Sequence, residues 1–93
     1  MKIEHKNSDK KGIFLAKTDE EIIGEMTYVW VSKDSFIIDH TEVSPEYRGK
    51  NVGGELVKGA VEFARENDFT IIPLCPFAAA EFERHSEYKD VKK

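Results

Sequence analysis

The 93-residue chain has one cysteine, Cys75, and so no intramolecular disulfide. A lone thiol fits a reducing compartment, and a cytoplasmic location is expected. No apolar run approaches the roughly 18 residues of a membrane-spanning helix, so no membrane partner is expected. The opening stretch MKIEHKNSDKKG lacks the apolar core of a secretory signal. Positive charge is also short: 14 Lys and Arg face 18 Asp and Glu, for a net charge of -4. A nucleic-acid backbone needs a basic face, so nucleic acid is excluded as the main partner. His5, His40 and His85 are scattered, and with Cys75 they do not make a zinc site; no metal is expected. The basic tail KDVKK is short and reads as a solvated end.

What remains is a chain sized for one domain spanning residues 1–93, expected as a monomer. KIEHK alternates at period two and predicts a first strand, followed by the turn cluster NSDKKG. GIFLAKT, IIGEMTYVWVS and SFIIDHTEV predict three more, with Gly24 a candidate bulge. Short connections favour an antiparallel meander. The period then changes. Val52, Leu56, Val57, Ala60, Val61, Phe63 and Ala64 share one helical face, and Asn67-Asp68 ends the helix, Asn being suited to the left-handed cap. FTIIPLC predicts a buried strand, and PFAAAEFERHSEY a second helix opened by Pro76. Strand, helix, strand is a crossover unit with parallel strands. The fold class is therefore α+β: a mixed sheet of four antiparallel strands, then a βαβ crossover and a C-terminal helix. Trp30 and Phe36 are expected in the core, His5 at the surface, and His85 at the surface or in a cap.

The loop RGKNVGG, before the long helix, raises the functional question. Gly49, Gly53 and Gly54 do not have the spacing of a dinucleotide fingerprint. Gly49 and Gly54 have Walker A spacing, but Glu55-Leu56 follow where Lys-Ser/Thr is required, which excludes triphosphate hydrolysis. Arg48-Gly49-Lys50-Asn51-Val52-Gly53 fits a third pattern, Arg/Gln-x-x-Gly-x-Gly/Ala. Successive N–H groups there form a concavity for a pyrophosphate, helped by the helix dipole and by Arg48 and Lys50. The alternative is a glycine-rich turn that only redirects the chain.

SPEYRGKNVGGELVKGAVEFARE resembles the acetyl-CoA-binding motif of the GNAT superfamily of N-acetyltransferases. DHTEV and PEYRGK together with PLCPFAAAEFERHSEY resemble its short, single-domain subfamily, and the resemblance covers nearly the whole chain. Asn51 stands where the loop normally has Gly. The resemblance implies acetyl-CoA as cosubstrate, bound by Glu42, Val43 and the loop Arg48, Gly49, Lys50, Asn51, Val52, Gly53 and Gly54. It also implies a gap between the fourth and fifth strands for the pantetheine arm, with Val43 N–H near the thioester carbonyl. The acceptor would be an amine, small molecule or protein.

Larger relatives place a Tyr acid on the last helix; here the overlay puts Glu83 there, and neither Phe77 nor Tyr88 replaces it. Cys75, at a strand end and a helix start, is the candidate nucleophile or acid. Its alternative is a small buried packing residue. His40 is the candidate base, for Cys75 or for the incoming amine. Its alternative is a structural, hydrogen-bonded His. Period two places His40 and Glu42 on one face and Asp39 and Thr41 on the other. The function expected is acetyl transfer to an amine. The rivals are a non-catalytic acyl-CoA-binding or sensing module and a protein-interaction domain that has lost the cofactor.

Overall fold

The computed structural model describes residues 1–93. Alternating β-branched and aromatic residues form β1 (Lys2–Asn7), β2 (Lys11–Thr18), β3 (Glu21–Ser32) and β4 (Ser35–Val43), an antiparallel meander. The long helix α1 (Val52–Asn67) crosses over to β5 (Thr70–Pro73), and α2 (Pro76–Arg84) follows. The sheet order is β1-β2-β3-β4-β5, with β5 parallel to β4 from Ser35↔Thr70 to Ile38↔Pro73. This is the expected α+β mixed sheet. No helix is long and apolar enough to cross a membrane.

One sheet face carries the core. Met26, Tyr28, Phe36 and Ile38 are fully buried against Leu56, Val57 and Ala60 of α1, and Ala78 and Phe82 of α2 join the same cluster. On the other face, Val29 and Val31 remain 40% and 50% exposed. Trp30 is half-buried and its Nε1–H donates to Asn7 Oδ1 at 2.9 Å.

The strands depart from simple alternation at two places. Ala16 faces Gly24 while Lys17 faces Ile22, leaving Ile23 as an extra residue beside the expected Gly24. Gly24 is required there, since a Cβ would lie 2.9 Å from Val52 Cγ1. The second bulge was not expected. Thr27 faces His40 but Tyr28 faces Ile38, so Asp39 is the extra residue of β4. His40 and Glu42 do share a face, but Asp39 and Thr41 do not. Asp39 Oδ1 accepts from Thr27 Oγ1 at 2.7 Å on the uncovered face, and Thr41 turns inward with Met26.

Three expectations are corrected toward the ends of the chain. The left-handed residue closing α1 is Asp68 (φ 59°), not Asn67, which stays helical and donates from Nδ2 to Phe63 O at 2.9 Å. The second helix ends at Arg84 rather than Tyr88. His85 leaves helical geometry, and Ser86–Val91 form a 3-10 segment that buries Tyr88 and Val91. The tail is docked rather than solvated: Lys93 N–H donates to Ile71 O at 2.9 Å, and Asp90 accepts from Arg65 Nε and Nη2 at 2.7 Å each.

His5 is also more engaged than expected. Much of the residue is exposed, yet its ring stacks on Phe14 at 4.0 Å and meets Phe63 edge-on at 4.4 Å. Its Nε2 lies 2.5 Å from the Tyr28 hydroxyl. Burial pushes the His5 pKa down and that of Tyr28 up to about 12.

Candidate functional site at the open end of the sheet

β5 is four residues long, and its pairing with β4 stops at Ile38↔Pro73. Leu74 N–H and Cys75 N–H then both donate to Ile38 O, at 3.1 and 3.0 Å, and the chain turns away into α2. β4 runs on to Val43 with β3 as its only strand neighbour. Its other edge beyond the bulge is free to pair with an extended chain.

The loop after β4 ends beside this edge. A 3-10 turn, Pro45–Tyr47, leads into Gly49 (φ 81°) and Asn51 (φ 64°, ψ 25°). Asn is among the few residues besides Gly that adopt this conformation readily. Asn51 O accepts from Glu55 N–H at 3.0 Å, the first bond of α1. The N–H groups of Val52, Gly53 and Gly54 come before that bond and have no acceptor within the protein; the Asn51 side chain does not cap them. The two glycines permit close approach. A Cβ on Gly53 would stand 2.5 Å from Phe77 Cζ, and one on Gly54 2.2 Å from Asn51 Oδ1.

These pieces enclose a groove of about 580 Å³. Thr41, Glu42 and Val43 form one wall, and Tyr47, Arg48, Gly49 and Asn51 the loop side. Val52, Gly53 and Gly54 begin α1 there, and Phe77, Glu81 and Arg84 of α2 close it. Of the cofactor-binding residues expected from sequence, only Lys50 is absent from this lining. Thr41, Tyr47, Phe77, Glu81 and Arg84 were missed. The one available signal was an aromatic directly after Pro76 at the start of a short helix, and Phe77 is 40% exposed.

Glu81 is 3% exposed, the one buried carboxylate of the chain. Arg84 Nη2 donates to its Oε2 at 2.6 Å, and His85 Nε2 lies 3.5 Å from Oε1. His85 caps α2 and packs on Tyr88 at 5.0 Å. Glu83, the position overlaid on the missing Tyr, is exposed and outside the groove.

The two candidate catalytic residues are not brought together. Cys75 is 7% exposed, is the N-cap of α2, and accepts through Sγ from Ala78 N–H at 3.4 Å. Its other polar neighbour is Thr41 Oγ1, also at 3.4 Å. His40 lies on the opposite sheet face, exposed, with Nε2 3.6 Å from Glu42 Oε1. Neither Cys75 nor His40 lines the groove.

Chemically, the groove offers two different kinds of binding in one place. Unpaired N–H groups at a helix start, with Arg48 beside them, suit a diphosphate. An unpaired strand edge suits a peptide-like arm with amides of its own. One ligand type, a diphosphate joined to an amide chain, fits both ends.

No curated protein matches the chain. Among solved structures, a GCN5-like protein from Staphylococcus aureus is 41% identical, over 97% of this chain and 87% of that one, with a TM-score of 0.74. A ribosomal-protein-alanine N-acetyltransferase from Brucella melitensis is 18% identical, over 81% of this chain and 62% of its own, with a TM-score of 0.65. AAC(6')-Iy, bound to the bisubstrate analogue CoA-S-monomethyl-acetylneamine, is 16% identical, over 87% of this chain and 62% of its own, with a TM-score of 0.61. The last two share the fold alone. The sequence profile of the GCN5-related N-acetyl-transferases matches residues 13–91, and the chain belongs to that family.

Proposed function

We propose that the chain binds acetyl-CoA in the groove between β4, α1 and α2 and transfers its acetyl group to an amine. The observation that carries this reading is the trio of unpaired N–H groups at Val52, Gly53 and Gly54, set beside the unpaired edge of β4. The loop holds the diphosphate through those N–H groups and Arg48. The backbone of Glu42 and Val43 receives the pantetheine arm. Bound acetyl-CoA supplies a thioester carbonyl carbon, at which a neutral amine forms a C–N bond as the C–S bond breaks. The amine must lose a proton and the thiolate must gain one.

Of the two roles open to His40, base for the amine has the better support. Its neighbour Glu42, with Oε1 3.6 Å from His40 Nε2, lines the groove, whereas Cys75 lies across the sheet. Direct attack by the amine is favoured over relay through Cys75, because that thiol is buried and occupied as a helix cap. A cytoplasmic, monomeric state is part of the same proposal.

An acetyl-CoA titration followed by backbone amide NMR tests the binding half. Shifts at Gly49–Gly54 and Thr41–Val43 are expected; saturating acetyl-CoA without them ends the reading. Turnover against a panel of amines tests the rest. Binding with no transfer to any amine would leave a non-catalytic acyl-CoA-binding module. Cys75→Ala should keep both binding and transfer; retained binding with lost transfer would restore the relay through Cys75.

A further inference from the structure

Besides the loop, the groove contains an arginine whose setting calls for a ligand. The charged lining of the groove is Arg48 and Arg84 against Glu42 and Glu81. Arg48 alone would leave the groove net negative, hostile to the diphosphate that the loop N–H groups invite. Arg84 restores the balance. It reaches the groove from α2, across from the loop, and also lines the adjoining concavity of about 450 Å³, where Asn51, Gly54 and Lys58 stand with the carboxylates of Glu55, Glu62 and Glu87. It therefore stands on the ridge between two hollows that both touch the start of α1.

How Arg84 is held matters as much as where it stands. Its guanidinium has five N–H donors, and the one contact it makes is from Nη2 to Glu81 Oε2 at 2.6 Å. The side chain is 68% exposed, while that of Glu81 is 4% exposed. A buried carboxylate is costly unless paired, so Glu81 holds the guanidinium in one place. The remaining donors have no partner within the protein. A planar fork with spare donors beside unpaired backbone N–H groups is a receptor for phosphate oxygens.

We infer that Arg84, held by buried Glu81, is a second phosphate-binding arm of the groove and contacts a phosphate of coenzyme A from the side opposite Arg48. This rests on the acetyl-CoA reading above and adds the residue that makes the groove electrostatically acceptable to that ligand. Glu81 is a positioning residue; Arg84 is the contact. Salt should weaken binding partly through this arm.

The test compares acetyl-CoA with acetyl-pantetheine, its phosphate-free end, by NMR titration of the parent, Arg84→Gln, and the double variant Arg84→Gln/Glu81→Gln. The double variant matters because Arg84→Gln alone strands a buried carboxylate. Both variants should bind acetyl-CoA about ten- to a hundredfold more weakly, with a smaller salt dependence. Acetyl-pantetheine affinity should be unchanged in both. Parent-like acetyl-CoA affinity in Arg84→Gln would overturn the inference. So would recovery in the double variant, which would mean that Arg84 only neutralises Glu81. Equal losses for both ligands would mark Arg84 as structural and also overturn it. A parent protein that fails to bind acetyl-CoA would instead remove the underlying reading, and the arm with it.

Discussion

Asn51 and Asp68 stand at opposite ends of α1 with nearly the same backbone, φ 64° and 59°. What surrounds them differs. At the C-terminal end, Asp68 N–H and Phe69 N–H both donate to Ala64 O, and Asn67 Nδ2 donates to Phe63 O. Arg65 ties the same turn to Asp90 and to Glu87 O. At the N-terminal end, no side chain caps the helix and three N–H groups are left over. Two glycines follow, with Phe77 and Asn51 packed where their side chains would stand. A protein that closes one end with this much hydrogen bonding can close the other. The contrast marks the C-terminal end as structural and the N-terminal end as prepared for something outside the chain.

The contrast can be attacked by substitution at each end. The largest effect is expected for Gly53→Glu. Its side chain would displace Phe77 and place negative charge among the free N–H groups, and acetyl-CoA affinity measured by calorimetry should fall below detection. Retained affinity would show that the open end is not the ligand end. A smaller effect is expected for Asn51→Val, because a β-branched residue resists positive φ. Urea denaturation should show a loss of about 1–2 kcal/mol, with weaker acetyl-CoA binding, whereas Asn51→Gly should match the parent in both. Equal behaviour of all three would mean that the turn carries no strain.

The smallest effect is expected for Asp90→Ala at the closed end. The Arg65 guanidinium hydrogen-bonded to Asp90 holds that carboxyl below its ordinary range. A depressed carboxylate pKa adds stability above the unfolded value, near pH 4, and loses it as pH falls through the folded value. Asp90→Ala should therefore melt slightly lower than the parent at pH 7 and converge with it toward pH 2. Both ions are exposed, so added salt should narrow the gap. Acetyl-CoA affinity should not change. If it does, the two ends of α1 are coupled and the contrast fails.

Much of this was legible in the sequence, for physical reasons that also explain the misses. Strand alternation and the helical face of Val52 to Ala64 are local, so β1 to β5 and α1 could be placed from composition and period. The loop could be read because Gly49, Asn51, Gly53 and Gly54 are demanded by backbone geometry. The bulge at Asp39 could not be read, since SFIIDHTEV alternates no differently on paper from an unbulged strand. That one residue separates His40 from Cys75. The end of α2 was misplaced because Tyr88 and Val91 continue an apolar spacing that a 3-10 segment satisfies as well as a helix. Phe77, Glu81 and Arg84 were missed because their roles depend on where α2 lies against α1. No spacing along the chain encodes that.

Ser35 and Thr70 are partners in the β4–β5 pair although a whole helix separates them in sequence. The meander from β1 to β4, by contrast, is built between strands joined by short turns. Distant contacts carry the greater loop-closure cost and tend to form late in folding. The groove exists only once α1 and α2 have settled against β4, so it is expected to form in the final stage of folding. A ligand touching all three elements would have little purchase on the folding transition state. In kinetic terms it should slow unfolding and leave the folding rate nearly unchanged, lengthening the lifetime of the native chain without hastening its arrival.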